Sequence, residues 1–473
     1  MPGLRSSRLS SVIALSALLA AAGCGGGPPF GTMTNSTEGE AVTVTADVTT
    51  THQTMVGFGA AAAYYSNYLA IHPNSALLYQ TLFTDLGLQV LRIANWYDNG
   101  DNGAGMNSTV GLIQWLQGMP APMPTILMSS WNPPAALKSD DQLRGTGTLS
   151  KDANGNYDYA GFAQWWAAGL TAHAAVGVIP DYISIQNEPD FPATQEGACL
   201  FDPTEDATHA GYGPALDAVK ASFATLAAPA VAPKLIGPEL DGIANGKLQS
   251  YMNGLASSGD AGDVDVVAYH LYNGGTDSMP NSFNGNLAAA ATAAGTLPSW
   301  MTEYAPANQN VFNTAWLIQN AVTVGGVSAY LYWDLFWVTA SPPQGLVTVE
   351  DPAHPANWTT TNGFIVNDDY YAVRHFARWT GAGWTRVGAS SSAQGVNASA
   401  FASPDGTHLT LIILNTDGVS HQVGIDSGGF AGTSVTAYLT ASTTATPLAQ
   451  TPLTAGNTLE MPARSIVTVT FAP

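Results

Sequence analysis

The residues of this 473-residue chain best suited to chemistry fall at the ends of short apolar runs. They are Trp131-Asn132, Asn187-Glu188, Glu239, His270 with Tyr272, Glu303-Tyr304, and Trp333. Carboxylates and aromatic rings dominate this set, which has neither a cluster of metal-ligand spacing nor a Ser/His/Asp arrangement. Two opposed carboxylates among Trp and Tyr suit cleavage of a glycosidic bond. One acid protonates the departing oxygen while the other attacks C1 and stabilises an oxocarbenium-like charge. A carboxyl separation of about 5–5.5 Å gives retention of configuration, and one of about 6.5–9.5 Å leaves room for a water and gives inversion. The aromatic faces match the apolar C–H faces of a pyranose.

Glu188 and Glu303 are 115 positions apart, equivalent to three repeats of about 38 residues in a barrel of ordinary size. The runs that must position them are Thr54–Gly59, Gln89–Ile93, Thr125–Ser130, Tyr182–Asn187, Lys234–Glu239, Val264–His270, Ser299–Glu303 and Val327–Trp333. Amphipathic stretches separate them, for example from Tyr159 and from Asn313. Eight strand–helix repeats predict an α/β fold, a (β/α)₈ TIM barrel over residues 52–375, with reactive side chains at the C-terminal strand ends. A doubly wound open sheet is the rival. Gly57-Phe-Gly59 alone does not make a dinucleotide fingerprint, so no such cofactor is expected. Past residue 376 the helical signal ends, and alternating runs such as 408–415, 434–439 and 465–471 predict a side antiparallel β-sandwich over 376–473. The β-branched segment 41–51 is expected to supply an N-terminal strand to that side domain.

Several segments are similar to those of a known family. Trp131-Asn-Pro-Pro-Ala-Ala-Leu-Lys, Ile185-Gln-Asn-Glu-Pro-Asp-Phe, Ala268-Tyr-His-Leu-Tyr and Trp300-Met-Thr-Glu-Tyr resemble the signatures of glycoside hydrolase family 30. So does Gly363-Phe to Val387, with Tyr370-Tyr-Ala-Val-Arg-His-Phe-Ala-Arg inside it. The resemblance covers about residues 52 to 390 in order. The Asn-Glu-Pro motif is shared with a larger clan of retaining glycosidases, whereas Trp-Asn-Pro-Pro and Trp-Met-Thr-Glu point towards the xylan-cleaving branch. The resemblance implies a barrel with a side β-domain and hydrolysis by double displacement. In that scheme Glu188 is the acid/base and Glu303 the nucleophile. Asn187 is implied to meet the sugar 2-hydroxyl, with Trp131, His270, Tyr272 and Trp333 lining subsites. Asn132, Tyr304, Trp96 and Trp337 complete the substrate-binding candidates. The branches that require glucuronic acid use an arginine just after strand eight. Here Trp333-Asp-Leu-Phe-Trp-Val-Thr-Ala-Ser-Pro-Pro contains none, and a carboxylate binds less well without a guanidinium fork. The expectation is an endo-β-1,4-xylanase independent of glucuronic acid branches. Within the family the alternatives are a β-1,6- or β-1,3-glucanase, an exo-acting xylobiohydrolase or a glucosidase. Outside it, the alternative is a non-catalytic polysaccharide-binding lipoprotein.

Blander readings accompany other residues. Glu239 fits a structural hydrogen bond better than a role in tuning the acid. His270 fits an orienting role better than a metal ligand, because no second His or Cys stands at ligand spacing. Asp98-Asn-Gly-Asp-Asn-Gly lacks the spacing of a calcium loop. Trp165 and Trp166 read as helix core, and Cys199 as a packed or free thiol without an evident basic partner.

The first 23 residues carry Arg5 and Arg8, an apolar run from Val12 and Ala21-Ala22-Gly23 before Cys24. This is the layout of a lipoprotein signal peptide, with Cys24 the lipidated N-terminus and 24–40 a flexible tether. A secreted, monomeric protein of the cell envelope is expected, touching membrane only through that lipid. Charged residues make up 10% of the chain and the net charge is −21. That balance gives a nucleic-acid groove or an anionic membrane patch no footing, and it suits a neutral polysaccharide partner.

Overall fold

The computed structural model describes residues 39–99, 105–193, 197–442, 447–454 and 456–473. The signal segment, Cys24 and the tether up to residue 38 lie outside the described residues, as do residues 100–104 of the Asp98 loop. No helix among the described residues is long and apolar enough to cross a membrane.

Eight parallel strands close into a barrel. In chain order they are Gly57–Ala61, Val90–Ala94, Thr125–Ser129, Tyr182–Ser184, Lys234–Leu240, Val266–His270, Ser299–Glu303 and Ala329–Tyr332, the last pairing with the first. Alternation along each strand decides which side chains fill the barrel. Val90, Leu127, Ile236, Val266, Ala268, Trp300, Ala329 and Leu331 form an interior cluster. Their neighbours Leu91, Ile126, Leu235, Val267, Met301 and Tyr330 pack outward against the helices. Arg92 shares the inward parity of Val90, so strand geometry alone delivers a guanidinium into the barrel.

The glycines of the first strand serve packing. A Cβ on Gly59 would lie 2.0 Å from the carbonyl oxygen of Val90, and Gly57 has φ +141°. Two of the helices begin on side-chain caps. Asp158 accepts from the Gly161 N–H ahead of Tyr159–Ala175, and Asn310 accepts from the Asn313 N–H ahead of Val311–Thr323. Trp165 and Trp166 are buried in the first of these helices. Cys199 is buried as a free thiol, and burial raises its pKa far above the ordinary range.

The side domain is a nine-stranded sheet that takes strands from both ends of the chain. Its order is Ala449–Thr451, Ser434–Thr440, Ser465–Ala472, Leu409–Asn415, Val396–Ala402, Thr385–Ser391, Val42–Thr54, His421–Asp426 and Thr458–Met461. The sheet is not wholly antiparallel, because Val42–Thr54 runs parallel to His421–Asp426 while pairing antiparallel with Thr385–Ser391. A late strand has inserted itself beside the N-terminal one, which turn patterns in the C-terminal segment do not reveal.

Helix Asp368–Ala377 joins barrel to sheet. Its His375 is fully buried between Thr468 and Thr440, each hydroxyl 2.8 Å from a ring nitrogen. The Thr468 hydroxyl donates to the His375 carbonyl, so its oxygen accepts the Nδ1 proton, and Nε2 accepts from Thr440. Burial, reinforced by the charge of Arg374, lowers this imidazole to about 3. The unfolded chain therefore takes up the proton first, and stability falls as pH drops from the ordinary histidine range towards 3. Denaturant melts from pH 6 to pH 4 should show the wild type losing about 1.4 kcal/mol per pH unit relative to His375→Gln. Parallel curves for the two proteins would contradict the buried neutral ring.

Candidate active site

Glu188, Glu239, His270 and Glu303 converge at the C-terminal mouth of the barrel, each by a different local device. At the seventh strand the pairing is Met301 with Tyr269 and then Glu303 with His270, so two residues oppose one. This bulge turns Glu303 inward, where simple alternation would aim it at the helices. The fifth strand repeats the device. Pro238 pairs with Ala268 and Leu240 with Tyr269, leaving Glu239 as the extra residue at φ +57°. Glu188 follows the short fourth strand and adopts φ +48°, a sparsely populated conformation for a non-glycine residue. Its backbone is pinned on both sides. The Asn187 N–H donates to the Ser130 carbonyl at 2.6 Å and the Glu188 N–H to the Glu239 carbonyl at 2.9 Å. The Gln186 side chain donates to the Trp131 and Asn187 carbonyls.

Arg92 organises the floor of the site and is 0% exposed. Nη1 donates to Glu303 Oε2 at 2.6 Å, Nη2 to Asn187 Oδ1 at 2.5 Å and Nε to Ser129 Oγ at 3.1 Å. Nε also lies 2.9 Å from Glu239 Oε1, an ion-pair contact without hydrogen-bond alignment. Below the guanidinium, 4.6 Å from its central carbon, is the ring of Trp131. Tyr272 donates to the other Glu303 oxygen at 2.8 Å, so both oxygens of Glu303 meet donors that favour the anion. His270 Nδ1 is 3.0 Å from Glu188 Oε1. An oxygen of Glu188, one of Glu303 and a nitrogen of His270 lie within 4.8 Å of one another.

Two cations thus face three buried carboxylates. Burial would lower the His270 imidazole, but the charge of Glu303, hydrogen bonding to Glu188 and the neighbouring Glu239 carboxylate raise it to about 9. Burial would likewise raise Glu239, yet Arg92 and His270 hold it at about 2.

One flank of the site is an aromatic wall. Trp96 stacks on Trp131 at 6.0 Å, Trp131 meets Trp333 at 5.8 Å, and Trp333 meets Trp337 at 6.2 Å. The Tyr64 ring sits among all four, at 5.3 to 6.3 Å. Each of the four tryptophans is at most 5% exposed, so their faces serve one another as well as any sugar. Asn132 is buried beside them and accepts from Asn99. Tyr304 packs against Tyr272 and sends its hydroxyl to Asp277, away from Glu303.

All the substrate-binding candidates therefore gather at this mouth, with Tyr304 and Asn132 as supports. Arg92, Ser129, Tyr64 and Gln186 were not among them. Arg92 carried a usable signal, a lone cation at inward parity inside an apolar strand. Tyr64 and Gln186 carried none.

Residues 383–469 match the glycosyl hydrolase family 30 β-sandwich domain, and residues 164–324 match a glycosyl hydrolase catalytic core. An endo-1,6-β-D-glucanase of Neurospora crassa is 36% identical over 109 residues, 22% of this chain and 20% of that protein. An endo-1,6-β-D-glucanase of Aspergillus fumigatus is 26% identical over 358 residues, 68% of this chain and 64% of that protein. The chain thus spans under two thirds of the length of both curated relatives. The catalytic domain of a family 30 xylanase C from Talaromyces cellulolyticus superposes with a TM-score of 0.72 at 20% identity, covering 91% of this chain and 100% of that one, a likeness of fold. The barrel and side sheet thus share the fold of that xylanase, and the two matched segments are similar to a glycosyl hydrolase catalytic core and to the family 30 β-sandwich domain.

Proposed function

We propose that the protein is a retaining glycoside hydrolase acting on a neutral β-linked polysaccharide, with Glu303 as nucleophile and Glu188 as acid/base. The observation that carries this reading is the approach of an oxygen of Glu188 and one of Glu303 to within 4.8 Å, which supports the close carboxyl pair of double displacement. In the first step Glu303 attacks C1, and the departing glycosidic oxygen takes the proton of Glu188. In the second, Glu188 removes a proton from water, the water oxygen bonds to C1, and Glu303 leaves with configuration retained. Arg92 holds the Asn187 oxygen, which leaves the amide nitrogen to donate to a sugar 2-hydroxyl.

Xylan is the leading substrate, supported by the Trp131-Asn-Pro-Pro and Trp300-Met-Thr-Glu segments. A β-1,6-glucan is the second reading, favoured by the curated relatives, which carry that activity in their names. Secretion and lipidation at Cys24 belong to the same proposal and rest on the N-terminal sequence alone.

Product analysis on xylan and on β-1,6-glucan, with the anomeric configuration followed by NMR, separates the two substrates. Glu303→Ala should abolish turnover on either, and added azide should restore an α-glycosyl azide; full activity in that variant contradicts the assignment. Glu188→Ala should spare aryl glycosides with activated leaving groups while losing the polysaccharide, whereas equal losses on both would exclude an acid role. Arg92→Met should cost about 3–5 kcal/mol in denaturant melts by leaving Glu239 and Glu303 without their cation; a change under about 1 kcal/mol would show that the ion pairs do not hold the site together.

A further inference from the structure

We propose that Glu239 is a positioning residue which, through His270, dictates which oxygen of Glu188 carries the acid proton. This rests on the acid/base role given to Glu188 above. The imidazole stands between two carboxylates, with Nδ1 3.0 Å from Glu188 Oε1 and Nε2 3.9 Å from Glu239 Oε1. A neutral ring has a single N–H and would turn a bare lone pair towards one of these anions. The imidazolium donates from Nδ1 to Glu188 and sets its charge beside Glu239, with Nε2 too far from that carboxylate for a hydrogen bond, in keeping with the elevation of His270 to about 9.

The consequence falls on Glu188. While Nδ1 donates to Oε1, the acid proton must ride on Oε2, the oxygen not held by the ring. When the imidazolium loses a proton, the charge of Glu239 retains the one on Nε2. Nδ1 then becomes an acceptor, and the Glu188 proton moves to Oε1 to meet it, where a leaving oxygen cannot take it. Glu239 therefore sets the pH at which the acid is switched off.

Besides its ion pair with Arg92, Glu239 faces His270. It is fully buried, and neither carboxylate oxygen has an aligned hydrogen bond. Its backbone is held in the left-handed region by the bulge, and its carbonyl receives the Glu188 N–H. The groups facing His270 are Glu188, Glu239 and Glu303 from neighbouring strands and the edge of Tyr272. Those facing Glu239 are Arg92, His270 and Tyr212, whose phenol burial keeps neutral.

The test is the pH profile of kcat for wild type and Glu239→Gln on two substrates, the polysaccharide that the wild type hydrolyses and an aryl glycoside with an activated leaving group. On the polysaccharide, the basic limb should move about one pH unit or more towards lower pH. At pH 8 kcat should drop about 10–100-fold with KM nearly unchanged. For kcat/KM of the aryl substrate, which reports glycosylation and needs no acid, the limb should not move. Glu239→Asp, which keeps the charge, should leave the limb near its wild-type position. A limb that stays in place in Glu239→Gln overturns the proposal, whatever the loss of stability. Should Glu239→Gln fail to fold, ¹⁵N NMR of His270 in the wild type decides. An imidazolium persisting to the pH of the limb supports the proposal, and a neutral ring at pH 7 overturns it. Absence of azide rescue in Glu303→Ala would instead count against the catalytic assignment.

Discussion

The buried guanidinium of Arg92 is the interaction on which the rest of the site depends. Removing a cation from water costs several kcal/mol, which only close acceptors and counter-charges offset. The barrel supplies them from four other strands: Ser129 at the end of the third, Asn187 after the fourth, Glu239 on the fifth and Glu303 on the seventh. The face of Trp131 closes the remaining side. Only 13 lysines and arginines occur in the whole chain, so placing one at 0% exposure is a strong commitment. The two bulges follow from it, since without them Glu239 and Glu303 would point at the helices and leave the cation unpaired.

The second cation, His270, completes a local balance in which three carboxylates can remain close together. Like charges this near would otherwise push protons onto one another. Here each catalytic candidate has its own partner, Arg92 with Tyr272 on Glu303 and His270 on Glu188. That asymmetry is what the proposed mechanism requires, because one carboxylate must stay ionised while the other trades a proton. The side sheet supports this from outside. Gln89, at the start of the second strand, clips its amide to the carbonyls of Gly87, Ala377 and Thr380. Buried His375 fastens the last helix to the sheet. The strand that carries Arg92 is thereby tied to the side domain.

The barrel was legible because inward and outward positions alternate between apolar residues in every run, and each run closes on a polar or aromatic tip. Glu188, Glu303, His270 and Tyr272 could be read for the same reason. Arg92 escaped notice because it lies within a run and not at its end, although its parity with Val90 would have disclosed it. The bulges were illegible in physical terms, since a one-residue slip leaves the composition of a strand unchanged and alters only its register. Glu239, the extra residue of one bulge, leaves no mark in the sequence of its contacts with Arg92 and His270. Tyr64 and the parallel strand at His421–Asp426 are set by tertiary packing and leave no local mark.

The central claim is that Glu303 forms the bond to sugar. An activated 2-deoxy-2-fluoro β-glycoside of the sugar that the enzyme accepts slows breakdown of a covalent intermediate, and peptide mass spectrometry then locates the label. The account predicts one fluoro-sugar per chain, attached through an ester to the peptide containing Trp300-Met-Thr-Glu303. A label on Glu188 or Glu239, or release of inverted product with no label at all, would contradict it.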